Sequence, residues 1–241
     1  MREISGSTAL VTGASSGIGQ AAARMLAAEG VKVILAARSE ERIDALAEEL
    51  EGATAVACDV GNAAQVRALF EHVRERHGAL DLLFNNAGVG YFAPFAESDR
   101  EEWRAQIDAN LYGVLYCTQE AIPLMRDRPG AMICTVSSVA GRHGMQGWSV
   151  YAATKHAVVG FHDALRRELG PEGIRVSLIE PGAVHTNWGF NVPPEKMKKR
   201  RDELEALNSD NVARVLVEAF RQPANVNWQE LLVMPTKQAY P

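Results

Sequence analysis

The sequence predicts one α/β domain: a doubly wound, mostly parallel sheet of about seven strands with helices on both faces. Three observations carry this reading. Short β-type runs alternate strictly with long amphipathic stretches, the pattern of right-handed βαβ units. Most of the runs are continuously apolar rather than alternating, as strands buried on both faces must be. Finally, the 241 residues contain 47% hydrophobic residues, enough for one large core, and no linker, repeat or low-complexity segment divides them.

The strand-like runs fall at residues 7–12, 31–37, 53–58, 80–86, 131–137, 174–180 and 230–234. The helical stretches fall at 18–29, 40–50, 63–77, 99–126, 150–169 and 211–221. Residues 182–208 break the rhythm with "VHTNWGFNVPP" followed by a charged helical piece. Open α/β sheets bind ligands at the carboxyl ends of their strands, so this insertion after the sixth strand predicts a substrate lid.

Charge and composition exclude several functions. A net charge of −5 and a pI near 5.7 argue against wholesale nucleic-acid binding. Cys58, Cys117 and Cys134 are too few and too scattered for a disulfide framework or a zinc site, and predict buried thiols in a reducing compartment. His143 and His185 lack a third ligand, so no metal is expected. The start "MREISGSTALVTG" has no signal-peptide core, and no apolar run approaches the ~20 residues of a membrane span. The expectation is a cytoplasmic protein.

"TGASSGIG" joins the first strand to the first helix. Gly13 permits a tight turn, Gly17 lets a pyrophosphate approach the backbone, and Gly19 lets the helix pack closely. With Ser15, Ser16 and Ile18 they open a helix whose free N–H groups and dipole favour an anion. Alone this is a glycine turn; strand before and helix after raise it to a dinucleotide site. The second strand ends in Ala37-Arg38 where NAD binders place an acidic residue. A guanidinium there matches a 2′-phosphate, which predicts NADP(H) over NAD(H). The alternative is a solvated Arg38 with Glu40 holding a ribose. Asp59 is placed for an adenine amino group with Val60 against its ring, unless it serves as N-cap of the helix beginning near Ala63. Asn86, Ala87 and Gly88 end the fourth strand; Gly88 admits close backbone approach, and the Asn side chains can tie strand ends together.

"SSVAGRHGMQGWSVYAATK" follows the fifth strand. It sets Tyr151 and Lys155 on one helical face, 13 residues beyond Ser138. Taken with "TGASSGIG", "NNAG", Asn110 in "IDANLYG" and "PGAVHT", it makes nearly the whole chain resemble the short-chain dehydrogenases/reductases, in their single-domain Tyr-x-x-x-Lys branch. The resemblance implies a Rossmann-like fold and a catalytic group of Ser138, Tyr151, Lys155 and Asn110. It also implies nicotinamide contacts from Tyr151, Lys155, Pro181, Gly182, Val184 and Thr186, and a homodimer or homotetramer. For assembly the sequence offers apolar residues on more than one helical face: Leu111, Val114 and Leu115, then Val158, Val159 and Phe161.

The chemistry agrees with the resemblance. Reduction of a carbonyl by hydride needs a proton for the developing alkoxide. Bringing a phenol from its usual pKa of ~10 to ~7 takes about 4 kcal/mol, the size of the effect of one ammonium ~4 Å away at a dielectric of ~20. Lys155 is expected to supply that effect, and an oxidised nicotinamide to add to it. Ser138 would bond the substrate oxygen, and Asn110 would hold a water linking Lys155 to solvent. Tyr91, Phe92, His143, Met145, Trp148, His185, Trp188 and Phe190 are candidates for the pocket wall or lid, with ordinary loop packing an equal alternative. "EKMKKRRDEL" (residues 195–204) has acidic residues at helical spacing, as a solvated lid helix would, though an acidic substrate would feel its charge.

The expected activity is hydride transfer between NADP(H) and a small ketone or 3-hydroxy acid. The runner-up is a 3-oxoacyl-chain ketoreductase. A nucleotide-sensing regulator would be expected to lack Tyr151 or Lys155, and this chain has both.

Overall fold

The computed structural model describes residues 1–186 and 188–239. Seven parallel strands form one sheet in the order β3-β2-β1-β4-β5-β6-β7. They are β1 (Thr8–Thr12), β2 (Lys32–Ala37), β3 (Thr54–Ala57), β4 (Leu82–Asn85), β5 (Met132–Val136), β6 (Arg175–Pro181) and β7 (Glu230–Val233). The order reverses between β1 and β4, so a crevice opens at their carboxyl ends, where such sheets hold ligands. All seven expected runs are strands, with ends that differ by a residue or two; β6 runs one residue further, to Pro181. The central ones are buried along their whole length, which is why their sequences do not alternate.

Helices α1 (Gly17–Ala28), α2 (Glu40–Glu49) and α3 (Ala63–His77) follow the first three strands. Asn62 caps α3, its Oδ1 accepting from the backbone N–H of Ala64 and Gln65. The expected helix over 99–126 is broken. It runs as α4 (Arg100–Ile107), widens to a π turn over Asp108–Tyr112, and continues as α5 (Gly113–Met125). Helix α6 (Ser149–Leu169) precedes β6, while α7 (Pro194–Leu204) and α8 (Ser209–Phe220) lie between β6 and β7. One core packs α1, α2 and α8 on one sheet face; the other packs α3, α5 and α6 on the opposite face.

Two buried polar groups tie the layers together. Arg175 on β6 donates to the carbonyls of Ala219 and Phe220 at the end of α8 (2.9 and 3.0 Å) and of Gly130 (2.7 Å). The negative end of the α8 dipole suits this cation. His162 on α6 is fully buried, 2.8 Å from Thr135 Oγ1 on β5. Burial depresses its pKa to about 3, so it is held neutral as a structural link.

The 182–208 segment rises from a short stem. Val184 bridges Leu207, His185 N–H donates to Leu207 O (2.7 Å), and Leu207 N–H donates to Ala183 O (2.9 Å). No helix among the described residues is long and apolar enough to cross a membrane.

Candidate active site

A cavity of about 820 Å³ runs along the carboxyl ends of the strands, from Arg38 past the glycine loop to Tyr151. Gly13 and Gly17 have φ of +63° and +57°, a region that L side chains avoid. A Cβ at Gly13 would stand 2.8 Å from Ala87 Cα. At Gly17 it would stand 3.1 Å from Thr186 Cγ2, so the loop after β6 closes over the glycine turn. Asn86 Nδ2 donates to the carbonyls of Thr12 and Gly13 (3.0 and 3.2 Å), tying the ends of β1 and β4 as its sequence position suggests.

The other cofactor candidates line the same cavity: Ser15, Ser16, Ile18, Asp59, Val60, Ala87, Gly88, Pro181, Gly182, Val184 and Thr186. Asp59 does not cap α3, because Asn62 does. Its Oδ1 accepts from Gly61 N–H (3.0 Å), leaving acceptor capacity toward the cavity. Arg38 is exposed at the cavity edge, without an ion pair among the described residues. Arg42, one turn into α2, lines the same end and was not singled out in the sequence; its i+4 relation to Arg38 was the available signal.

The reacting end is built by three elements. Ser138 ends the β5 run and caps a 3₁₀ turn over Val139–Gly141, its Oγ accepting from Ala140 N–H (3.0 Å). Arg142 fixes this loop to β6 through Glu180 (2.8 Å) and to β7 through Glu230 (2.7 Å). Helix α6 then delivers Tyr151 and Lys155, which are 6% and 5% exposed. The Tyr151 and Ser138 side chains are hydrogen-bonded. Lys155 Nζ donates to Val136 O (2.7 Å) and lies 5.7 Å from the Tyr151 ring centroid.

In this structure burial, rather than Lys155, governs the Tyr151 pKa. Burial pushes the phenol up, and only the bond to Ser138 opposes this. Burial also lowers Lys155, to about 8. Both shifts have the same cause, because a dry site penalises whichever group is charged. The ammonium is meanwhile directed at the Val136 carbonyl. Of the two groups the amine gives up its proton first, at about 8.

Asn110 is fully buried in the π turn. Its Oδ1 accepts from Val89 N–H and its Nδ2 donates to Val89 O, both at 2.8 Å, while Nδ2 also reaches Thr154 Oγ1 (3.1 Å). Its amide clamps the strand that leaves β4 to α6. Both amide hydrogens go to protein acceptors, so the side chain has no donor left for the expected water.

Aromatic rings wall the reacting end. Trp188 lies 4.7 Å from Tyr151, centroid to centroid, and stacks on Trp148 at 5.3 Å. Phe92, Met145 and Phe190 also line the cavity. Tyr91, His143 and His185 do not. Tyr91 stacks on Phe190 (5.1 Å), His143 is exposed, and the stem directs His185 to solvent. Among the described residues, no group of three His, Cys, Asp or Glu side chains is placed to hold a metal. The three cysteines are buried and unpaired, with Cys58 raised by burial to about 11, so they are inert.

A glycine-cradled anion site beside a buried Ser–Tyr–Lys cluster at a sheet crossover defines a nucleotide-dependent oxidoreductase. The short chain dehydrogenase family profile matches residues 7–196, and the chain belongs to that family. The glycine betaine reductase ATRR of Emericella nidulans is 37% identical over 239 residues; the match covers 96% of this chain and 19% of that protein's length. An uncharacterized oxidoreductase of Staphylococcus aureus (strain MW2) is 34% identical, covering 94% of this chain and 96% of its own. Among solved structures, the closed form of a serine dehydrogenase complexed with NADP+ superposes with a TM-score of 0.92 at 33% identity, over 97% of this chain and 96% of that one. An alcohol dehydrogenase from the archaeon Thermococcus sibiricus, complexed with 5-hydroxy-NADP, gives 0.88 at 29% identity over 98% and 99%.

Proposed function

We propose that this chain transfers a hydride between NADP(H) and the carbonyl or secondary alcohol of a small substrate, a ketone or 3-hydroxy acid. The observation that carries this reading is the Ser138–Tyr151–Lys155 cluster at the closed end of a cavity that begins at Arg38. The cavity fits the cofactor: its volume of about 820 Å³ is lined by the glycine loop, by Arg38 and Asp59 at one end and by Tyr151 and Lys155 at the other. Arg38, Arg42 and Ser39 hold the 2′-phosphate, the glycine loop with Ser15, Ser16, Gly17, Ile18 and Gly19 holds the pyrophosphate, and Asp59 with Val60 takes the adenine. Asn86, Ala87, Pro181, Val184 and Thr186 border the nicotinamide end. When bound, the nicotinamide supplies or accepts the hydride.

The chain's own residues do the rest. Ser138 Oγ–H donates to the substrate oxygen and orients it against Tyr151 Oη. Tyr151 gives its proton as the oxygen gains charge. Lys155 stabilises the phenolate that forms and holds the ribose. Asn110 positions Val89 and the start of the pocket. Trp188 over Tyr151 excludes water, which strengthens each of these bonds. The segment 182–208 acts as the substrate lid within a single nucleotide-binding and catalytic domain, residues 1–241. Screening the purified protein with NADPH against short ketones, 3-oxo esters and aldehydes tests this reading. No consumption with any of them would reject it.

Cofactor choice rests on Arg38, and NADP-bound relatives support it. A charge-assisted hydrogen bond is worth roughly 1.5–3 kcal/mol. Arg38→Ala is therefore expected to weaken NADPH about ten- to hundredfold and leave NADH nearly unchanged. Equal NADH and NADPH affinity in the parent protein, by titration, would refute the preference.

The chain assembles as a homodimer or homotetramer. Tyr112, 44% exposed at the end of the π turn, stacks on Tyr116 of α5, and Leu111, Val159 and Phe161 are only partly buried. Light scattering is expected to give a multiple of 26.2 kDa; a monomer alone at micromolar concentration would contradict this. Three buried thiols support a cytoplasmic location, which cell fractionation checks.

A further inference from the structure

The reading of the cavity as a dinucleotide site leaves the basic face of α7 unexplained. The helix sorts its charges. Lys199 pairs with Glu203 at 3.7 Å on the outer face. Lys196, Arg200 and Arg201 line the cavity and form no ion pair among the described residues. Among the described residues the only carboxylate lining that cavity is Asp59, at the adenine end. So the lid brings three cations to a part of the site where, among the described residues, no carboxylate meets them.

Their positions differ. Met197 faces the reacting end, near Gly189 and Trp148. Arg201 lies at the other end of the helix. Its Nη2 donates to the carbonyl of Thr186. The Thr186 side chain in turn sits over Gly17 of the phosphate loop, in contact with any Cβ placed there. Arg201 Nε is buried with no hydrogen-bond partner among the described residues. A buried donor without an acceptor is costly, and a guanidinium matches paired phosphate oxygens.

We propose that Arg201 is a pyrophosphate-binding residue, closing over the nucleotide from the lid while the loop Gly13–Gly19 holds it from below. Arg200 adds charge at the rim. The proposal rests on the NADP(H) reading above and adds to it a coupling: nucleotide binding orders the lid, and an ordered lid tightens nucleotide binding by the same factor. Arg201 lies beyond the 7–196 segment that the family profile matches. The rival ligand is a substrate carboxylate. The contact through Thr186 to Gly17 favours the phosphate, because the substrate's reacting carbon must lie at Tyr151, under Trp188.

Binding titrations separate these possibilities without any turnover. The probes are NADPH, ADP-ribose, which carries the pyrophosphate without the 2′-phosphate, and 2′-AMP, which carries neither pyrophosphate nor nicotinamide. Arg201→Gln is expected to weaken NADPH and ADP-ribose tenfold or more and leave 2′-AMP unchanged. Arg201→Lys, which keeps the charge, should recover part of the loss. Arg38→Ala should show the converse pattern, losing 2′-AMP and sparing ADP-ribose. An Arg201→Gln variant that binds NADPH and ADP-ribose like its parent overturns the proposal. If such a variant instead raises KM for a carboxylate substrate, Arg201 belongs to the substrate. A parent protein that binds none of the three probes overturns the cofactor reading itself, a failure distinct from that of Arg201 alone.

Discussion

Tyr151→Phe is expected to abolish turnover while leaving the fold and NADPH binding intact. The ring keeps its contacts with Trp148 and Trp188, so the aromatic wall keeps its packing. Only the hydroxyl and its bond to Ser138 go. That hydroxyl is the group from which the developing alkoxide takes its proton, while Ser138 only hydrogen-bonds it. General acid–base catalysis contributes about 10²–10⁴ in rate, and the upper end is expected here because water is excluded and cannot substitute. Steady-state assay with an unchanged melting transition checks this. A folded variant turning over near the parent rate would remove Tyr151 from the mechanism.

Lys155→Met is the second large effect. The ammonium is buried at α6 and lies 5.7 Å from the Tyr151 ring. A unit charge about 5 Å from a developing phenolate is worth about 3 kcal/mol at an effective dielectric of ~20. Turnover should therefore fall by about two to three powers of ten. NADPH should also bind more weakly, because the ribose loses its ammonium. This second effect distinguishes Lys155 from Tyr151, whose loss spares binding.

The same pair sets a pH dependence. Burial raises the Tyr151 pKa and lowers that of Lys155 to about 8. Alcohol oxidation needs the pair to have lost one proton, and the lower of the two values marks where that proton leaves. Oxidation should rise with pH through an ionisation near this value, and carbonyl reduction should fall through it. In Lys155→Met the oxidation profile should move to higher pH, toward or beyond the ~10 of a free phenol. An unshifted profile would assign the ionisation to another group.

The strands and the positions of Ser138, Tyr151 and Lys155 were legible because they depend on local order: apolar runs, glycines, and an i, i+4 pair. The break in the 99–126 helix was not legible. The π turn at Asp108–Tyr112 surrounds Asn110, whose amide bonds Val89 and Thr154, residues far from it in sequence. The capping of α3 could be read in either of two ways, since Asp59 and Asn62 are both good N-caps; the structure uses Asn62. The burial that governs the Tyr151 pKa is not legible for a similar reason. Spacing places Lys155 beside Tyr151, but only the fold reveals that both are buried and that the ammonium points at Val136 O. His185 is adjacent to Thr186 in sequence, yet the Leu207 stem turns it outward. In each case the deciding contact joins distant parts of the chain.

Transfer of a labelled hydride tests the central claim most directly. The protein is incubated with NADPH carrying deuterium at the transferable position of the nicotinamide, together with a short ketone or 3-oxo ester that the screen identifies. Mass spectrometry then follows the alcohol product. The account predicts one deuterium on the carbinol carbon for each NADPH consumed, with no product from Tyr151→Phe. Alcohol lacking the label, or NADPH consumed without alcohol, would contradict it.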